Sequence, residues 1–190
     1  MSRTPVALAL SLCLAAAAAC AQPGSPATPS PAGSPQRPSI LAQPPPAVHL
    51  RPAADAILGD QVVGAARRGG HDHLTAALAA SEQPDQAAAL AEFEGWGWLD
   101  GASRTWASAD ETLVIAARAD QANRAFGFWA GDAAGQCSAT AAAGLDDCSQ
   151  AVSGDRVVVV GRLASAVFRL QCPAAAAERL TVAQSAALHS

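Results

Sequence analysis

Covalent or metal chemistry in this chain of 190 residues would have to run through five cysteines and four histidines. Thiols pair in oxidising compartments and stay reduced in the cytosol, so compartment decides what they mean. Cys13 and Cys20 sit in and at the end of an N-terminal apolar run, whereas Cys137, Cys148 and Cys172 lie far downstream. Three thiols allow one bridge in three ways, with one thiol left over. A hairpin folding Val157 back onto Gln171 brings the chain near Cys148 within reach of Cys172, and Cys137 stands only eleven positions before Cys148. Cys137–Cys172 is favoured by a narrow margin, because it would join an aromatic helix to the last strand and close the longer loop. Cys137–Cys148 stands close behind. As a nucleophile the odd thiol would need a base and an electropositive setting. His49, His71, His73 and His189 sit in no partner motif, so a structural thiol is expected.

Gly69-Gly70-His71-Asp72-His73 is the cluster closest to metal chemistry. Two imidazoles and a carboxylate suit zinc or copper, but a third and fourth protein ligand are not identifiable. The expectation is no metal and no cofactor, with Asp72 capping a helix that starts at Leu74. Arg104 beside Trp106 and Arg124 beside Phe126 suggest cation–π contacts of the ordinary structural kind. Asp100, Asp110 and Glu111 read as solvated carboxylates near strand ends and loops. No nucleophile elbow, phosphate loop, zinc-protease helix or dinucleotide fingerprint occurs. The chain is therefore expected not to be an enzyme.

Those residues sit in an unusual composition. Hydrophobic residues make up 51% of the chain but aromatic residues only 4%, and 50 alanines account for the difference. All 12 basic residues are arginine, which with the Ala, Gly and Pro content points to a GC-rich genome. A formal charge of −4 excludes a strongly basic nucleic-acid binder. No apolar run reaches the roughly 18 residues of a membrane span.

The N-terminus MSRTPVALALSLCLAAAAAC has one basic residue, Arg3, before a short apolar run, which is the build of an export signal over residues 1–19. Its end, Ala17-Ala18-Ala19-Cys20, resembles the lipobox of bacterial lipoproteins, in which the cysteine thiol receives a diacylglycerol. Ala17 stands where that pattern usually has Leu. The resemblance implies lipid attachment at Cys20, the membrane as a partner through that lipid, and a location on the extracytoplasmic face; plain secretion is the alternative. Acyl anchoring strengthens by about 0.8 kcal/mol per buried methylene, so two or three chains make release slow. Residues 20–48 form a tether. Nine of the thirteen prolines fall between Gln22 and Pro46, and such a stretch extends at about 3.1 Å per residue where it is stiff.

Residues 49–190 remain for one α+β domain. Residues 52–80 read as weakly helical and interrupted by glycines, and 84–95 as a helix with Pro84 in its first turn and Gly95 as its stop. Gly97–Ala107 and Thr112–Arg118 form a hairpin, followed by a helix from Asp120 as cap to Ala130. Its Ala122, Ala125, Phe126 and Trp129 share one face. Seven of the eight aromatic residues lie between Phe93 and Trp129, so this block forms much of the core. Val157–Val160 is a run typical of a strand buried on both faces. It turns at Gly161–Ala164 into a partner strand to Gln171, and a last helix after Pro173 carries Ala176, Leu180, Ala183 and Ala187 on one side. The expected sheet is small and antiparallel, made from these two hairpins, with helices packed on one face.

The segment from Phe93 to Trp129, through Trp98, Gly101, Arg104, Trp106 and Phe126, resembles exported actinobacterial lipoproteins of unknown function. The resemblance implies an extracytoplasmic α+β domain and brings no catalytic residues with it. Expected function is therefore a membrane-tethered, non-enzymatic binding or interaction domain for an envelope protein, a cell-wall component or a lipid. A small carrier of apolar ligands, with the Trp/Phe cluster lining a cavity, comes second. A metal- or Cys-dependent hydrolase comes third.

Overall fold

The computed structural model describes residues 51–131 and 135–190. The export signal, Cys20, the tether and His49 lie outside the described residues.

Glycine and proline divide the first third of the domain more finely than a weak helix would. Pro52 starts α1 (Ala53–Ala56), and Gly64, in the left-handed region at φ 80°, stops α2 (Asp60–Val63). β1 (Gly69–His71) follows, so His71 lies on a strand rather than in a loop. Thr75 rather than Asp72 caps the next helix, α3 (Ala76–Ser81), its Oγ1 accepting from the Leu78 amide at 3.2 Å. Asp85 caps α4 (Gln86–Gly95), so Pro84 stands outside the first turn.

The expected hairpin forms from β2 (Trp98–Thr105) and β3 (Asp110–Ala116). Asp110 and Glu111 open β3 instead of belonging to its loop. α5 (Ala119–Ala130) comes next, and Asp120 sits in its first turn, paired with Arg118 at 2.8 Å, rather than at its cap. β4 (Gly135–Gln136), α6 (Ala139–Ala142) and β5 (Asp147–Ser153) precede the second hairpin, β6 (Arg156–Leu163) and β7 (Ala166–Pro173). α7 (Ala174–His189) ends the chain.

All described strands join one antiparallel sheet of seven, in the order β1-β2-β3-β7-β6-β5-β4. The fold is α+β, but the sheet is larger than two hairpins, and helices cover both faces rather than one. The valine run shows why. Val157 and Val159 pack into a cluster with Leu113, Phe168, Leu170 and the α1 and α7 residues Ala56 and Leu180. Val160, with Val158 beside it, packs into a second cluster on the opposite face, with Val167, Ala122, Ala125, Phe93 and Trp96. A strand apolar on both sides needs a helical layer on each, and α1, α2 and α7 supply one while α3, α4 and α5 supply the other.

α7 turns a different stripe inward from the one its alanines suggest. Ala177, Leu180, Thr181, Gln184, Ser185 and Leu188 are buried. The polar members each reach a backbone carbonyl: Thr181 that of Ala177 (2.7 Å), Gln184 that of Ala56 (3.0 Å) and Ser185 that of Ala143 (3.1 Å). Buried polar groups are tolerated when they are bonded in this way.

The disulfide joins Cys137 to Cys148, with Cα atoms 5.7 Å apart, and leaves Cys172 free and buried. The favoured Cys137–Cys172 pairing does not form. Cys172 stands opposite Val157, whereas Cys148 stands opposite Gly161, which itself faces Phe168. Four residues along a strand is about 13 Å, so Cys148 lies well beyond disulfide reach of Cys172, and Cys137, with its Cα 5.7 Å from that of Cys148, is held at the Cys148 end.

Candidate functional site

The second face of the sheet carries an interruption. Along it, β3 and β7 present Val114, Ala116 and Val167. Ser103, Thr112 and Arg169 break that surface side by side, because Ser103 is the cross-strand partner of Thr112 and Thr112 that of Arg169. These three polar side chains floor a cavity of about 470 Å³ that is partly open to solvent.

Its walls come from all three helices on that face. Leu74, Ala79, Glu82 and Gln83 border it on the α3 side, Phe93 comes from α4, and Phe128 and Trp129 come from α5. Trp98 closes the base of β2. The aromatic rings are braced against one another around Trp96, which is fully buried. Trp96 lies parallel to Trp98, with centroids 6.1 Å apart, and edge-on to Phe128 at 5.3 Å and Trp129 at 5.4 Å. Such offset and T-shaped contacts are the favoured aromatic geometries.

Trp98 is held by Gly101. The indole Nε1 donates to the Leu74 carbonyl at 2.9 Å, and the Leu74 amide donates to the Gly101 carbonyl at 2.7 Å. A Cβ at Gly101 would lie 2.7 Å from that Leu74 oxygen and 2.8 Å from the Trp98 ring. Only glycine lets the chain before α3 and the indole both lie on the strand.

Arg169 is half-buried and makes no hydrogen bond or ion pair with any described residue. Burial pulls its guanidinium below the usual arginine range, and the charge of Asp110 offsets this only in part. Asp110 has its own partner in Arg156, at 3.6 Å. A guanidinium remains charged in proteins, with five donors to satisfy. Ser103 Oγ accepts from the His71 amide at 3.2 Å, which leaves its own proton to donate. The Thr112 hydroxyl bonds to no described residue. The floor thus offers a cation and two hydroxyls, and no carboxylate among its three side chains.

The metal-like and acidic residues singled out from the sequence do not line the cavity, although His71 bonds through its amide to Ser103. Asp72 pairs with Arg67 at 2.8 Å, His71 approaches Glu82 at 3.6 Å, and His73 is exposed. Among the described residues no group of three or more His, Cys, Asp or Glu side chains is placed to hold a metal. Arg104, on the opposite face, is an anchor for α1. Its Nη1 donates to the Leu58 carbonyl (2.6 Å) and its Nη2 to that of Ala54 (2.8 Å).

The carboxylates read as solvated are anchors as well. Asp100 accepts from the Ala53 amide at 2.8 Å, and Glu111, only 2% exposed, accepts from the Leu58 amide at 3.1 Å. Burial pushes Glu111 up to about 8, with the Leu58 amide and Arg104 opposing the shift.

The row of Ser103, Thr112 and Arg169 escaped sequence reading. Its one signal was a charge inside Ala166–Pro173, within the apolar run from Ala166 to Leu170. No family model, curated protein or solved structure matches the chain.

Proposed function

We propose that the protein is an exported, lipid-anchored domain that binds a small ligand in the cavity between the sheet and α3, α4 and α5. Anchoring rests on the export signal and Cys20, and the proline-rich segment serves as the spacer above the membrane. The binding half rests on one observation: a half-buried arginine that makes no hydrogen bond or ion pair with any described residue, at the floor of an aromatic-walled cavity. No nitrogen of this guanidinium is shut away from solvent, so a ligand entering the cavity can take the place of water on it with matching hydrogen bonds. The cavity falls within the roughly 300–1,000 Å³ of small-ligand sites.

Its lining adds the hydroxyls of Ser103 and Thr112 and the carboxylate of Glu82 to that guanidinium. The aromatic cluster lining the cavity brings the reading close to a carrier, although the polar floor argues against a purely apolar cargo. The test is a native mass spectrum of the full-length product purified from membranes. Acyl mass at Cys20 and a non-covalent adduct on the folded protein are expected. An unacylated or consistently empty protein would overturn the corresponding half.

A further inference from the structure

From the same cavity we infer the class of ligand: a monoanionic, carboxylate-headed ring compound, with its head on Arg169 and its ring against Trp98, Phe128 and Trp129. The inference rests on the cavity being the binding site. Three observations carry it.

The first is charge. Arg169 is the one cation among the lining residues, and Glu82 supplies a carboxylate to the same lining. A dianion such as a phosphate monoester would bring two negative charges beside Glu82 and near Asp110, inside a domain where acids outnumber arginines by 16 to 10. A monoanion brings one, and sets it against the guanidinium of Arg169, which bonds to no described residue. The second is geometry. A guanidinium presents parallel N–H donors that match the two oxygens of a carboxylate. The hydroxyls of Ser103 and Thr112 stand beside it in the cross-strand row, ready to donate to whichever lone pairs the fork leaves open.

The third is the wall. Phe128 is 52% exposed although it belongs to the ring cluster, and Trp98 and Trp129 are only partly covered. Flat aromatic faces held rigid by their neighbours favour a flat, rigid guest, because stacking then costs little conformational entropy.

The test uses the full chain and three probes in isothermal titration calorimetry: 2-naphthoate, its uncharged isostere 2-naphthamide, and decanoate. Naphthoate is expected to bind at least tenfold more tightly than naphthamide, and more tightly than decanoate. Arg169→Met should weaken naphthoate at least tenfold and leave naphthamide unchanged, while Arg169→Lys should retain part of the preference. Phe128→Ala, at an exposed position, should weaken both ring probes and spare decanoate. The probe comparison on the unaltered protein needs no variant, so a misfolded Arg169 variant leaves the test intact.

Equal binding of naphthoate and naphthamide overturns the carboxylate head. Decanoate binding as tightly as naphthoate overturns the ring and points to fatty acids. Failure of all three probes overturns the ligand class. If such a protein still carries a non-covalent adduct by native mass spectrometry, the binding-domain reading survives; if it is empty, that reading falls too.

Discussion

At the scale of single residues, Glu111 is the group whose environment departs furthest from water. It opens β3 on the face covered by α1, and its Oε1 has no partner while Oε2 accepts from the Leu58 amide. The unfolded chain releases this proton near the ordinary value of 4.5, but the fold retains it to about 8. Between those limits the folded state binds more protons than the unfolded state, so stability falls as pH rises. The contribution is intact below pH 4.5, declines toward pH 8 and is constant above it. The full loss is on the order of 3–5 kcal/mol. Glu111→Gln, which keeps the shape of the protonated acid, should flatten this decline. Urea unfolding of both proteins at pH 5 and pH 8.5 measures it, and parallel pH dependence in the two would show that the carboxyl is not the cause.

At the scale of elements, the ring cluster and the disulfide each hold pieces that propensity alone would not. Trp96 joins α4 to β2 and touches Trp98, Phe128 and Trp129. Its removal would leave a large cavity at the centre of these rings. Trp96→Ala should cost about 3–5 kcal/mol. A melting temperature close to that of the parent would show that the cluster contributes little to the core. The Cys137–Cys148 bridge closes a loop of sequence separation 11 and ties β4, an edge strand of two residues, to β5. Loop entropy gives about 3 kcal/mol for such a closure. Reduced protein should show this loss in denaturant midpoint, and no change on reduction would contradict it.

These elements were unequally legible. The hairpins β2–β3 and β6–β7 and the helix α5 follow from local patterns within single stretches of chain. β1 and β4 do not, since Gly69-Gly70-His71 and Gly135-Gln136 have no side-chain periodicity and exist as strands only through their partners. The valine run already stated two-sided burial, yet which helices would cover each side depended on contacts between distant segments. The cavity was hidden for the same reason: Ser103, Thr112 and Arg169 become neighbours only once β3 pairs with both β2 and β7.

At the scale of the whole molecule, the start of the described chain and the cavity lie on opposite faces of the sheet. The described chain begins beside α1, which packs with α7 on the first face, whereas the cavity opens among α3, α4 and α5 on the second. Asp100, Arg104 and Glu111 hold the backbone of 53–58 from below, so the start of the domain is fastened to the strands rather than left to the tether. The proposed anchor at Cys20 and the proposed ligand at Arg169 should therefore be separable, so that removing one leaves the other in place. Cys20→Ser is expected to move the protein from the membrane fraction to the soluble or released fraction, while its affinity for 2-naphthoate stays within about twofold of the parent, a difference of about 0.4 kcal/mol. Fractionation followed by calorimetry on the same preparation reads both quantities. Retention of the variant on membranes would remove Cys20 as the anchor, and release accompanied by a tenfold loss of affinity would show that the acylated N-terminus takes part in the binding site.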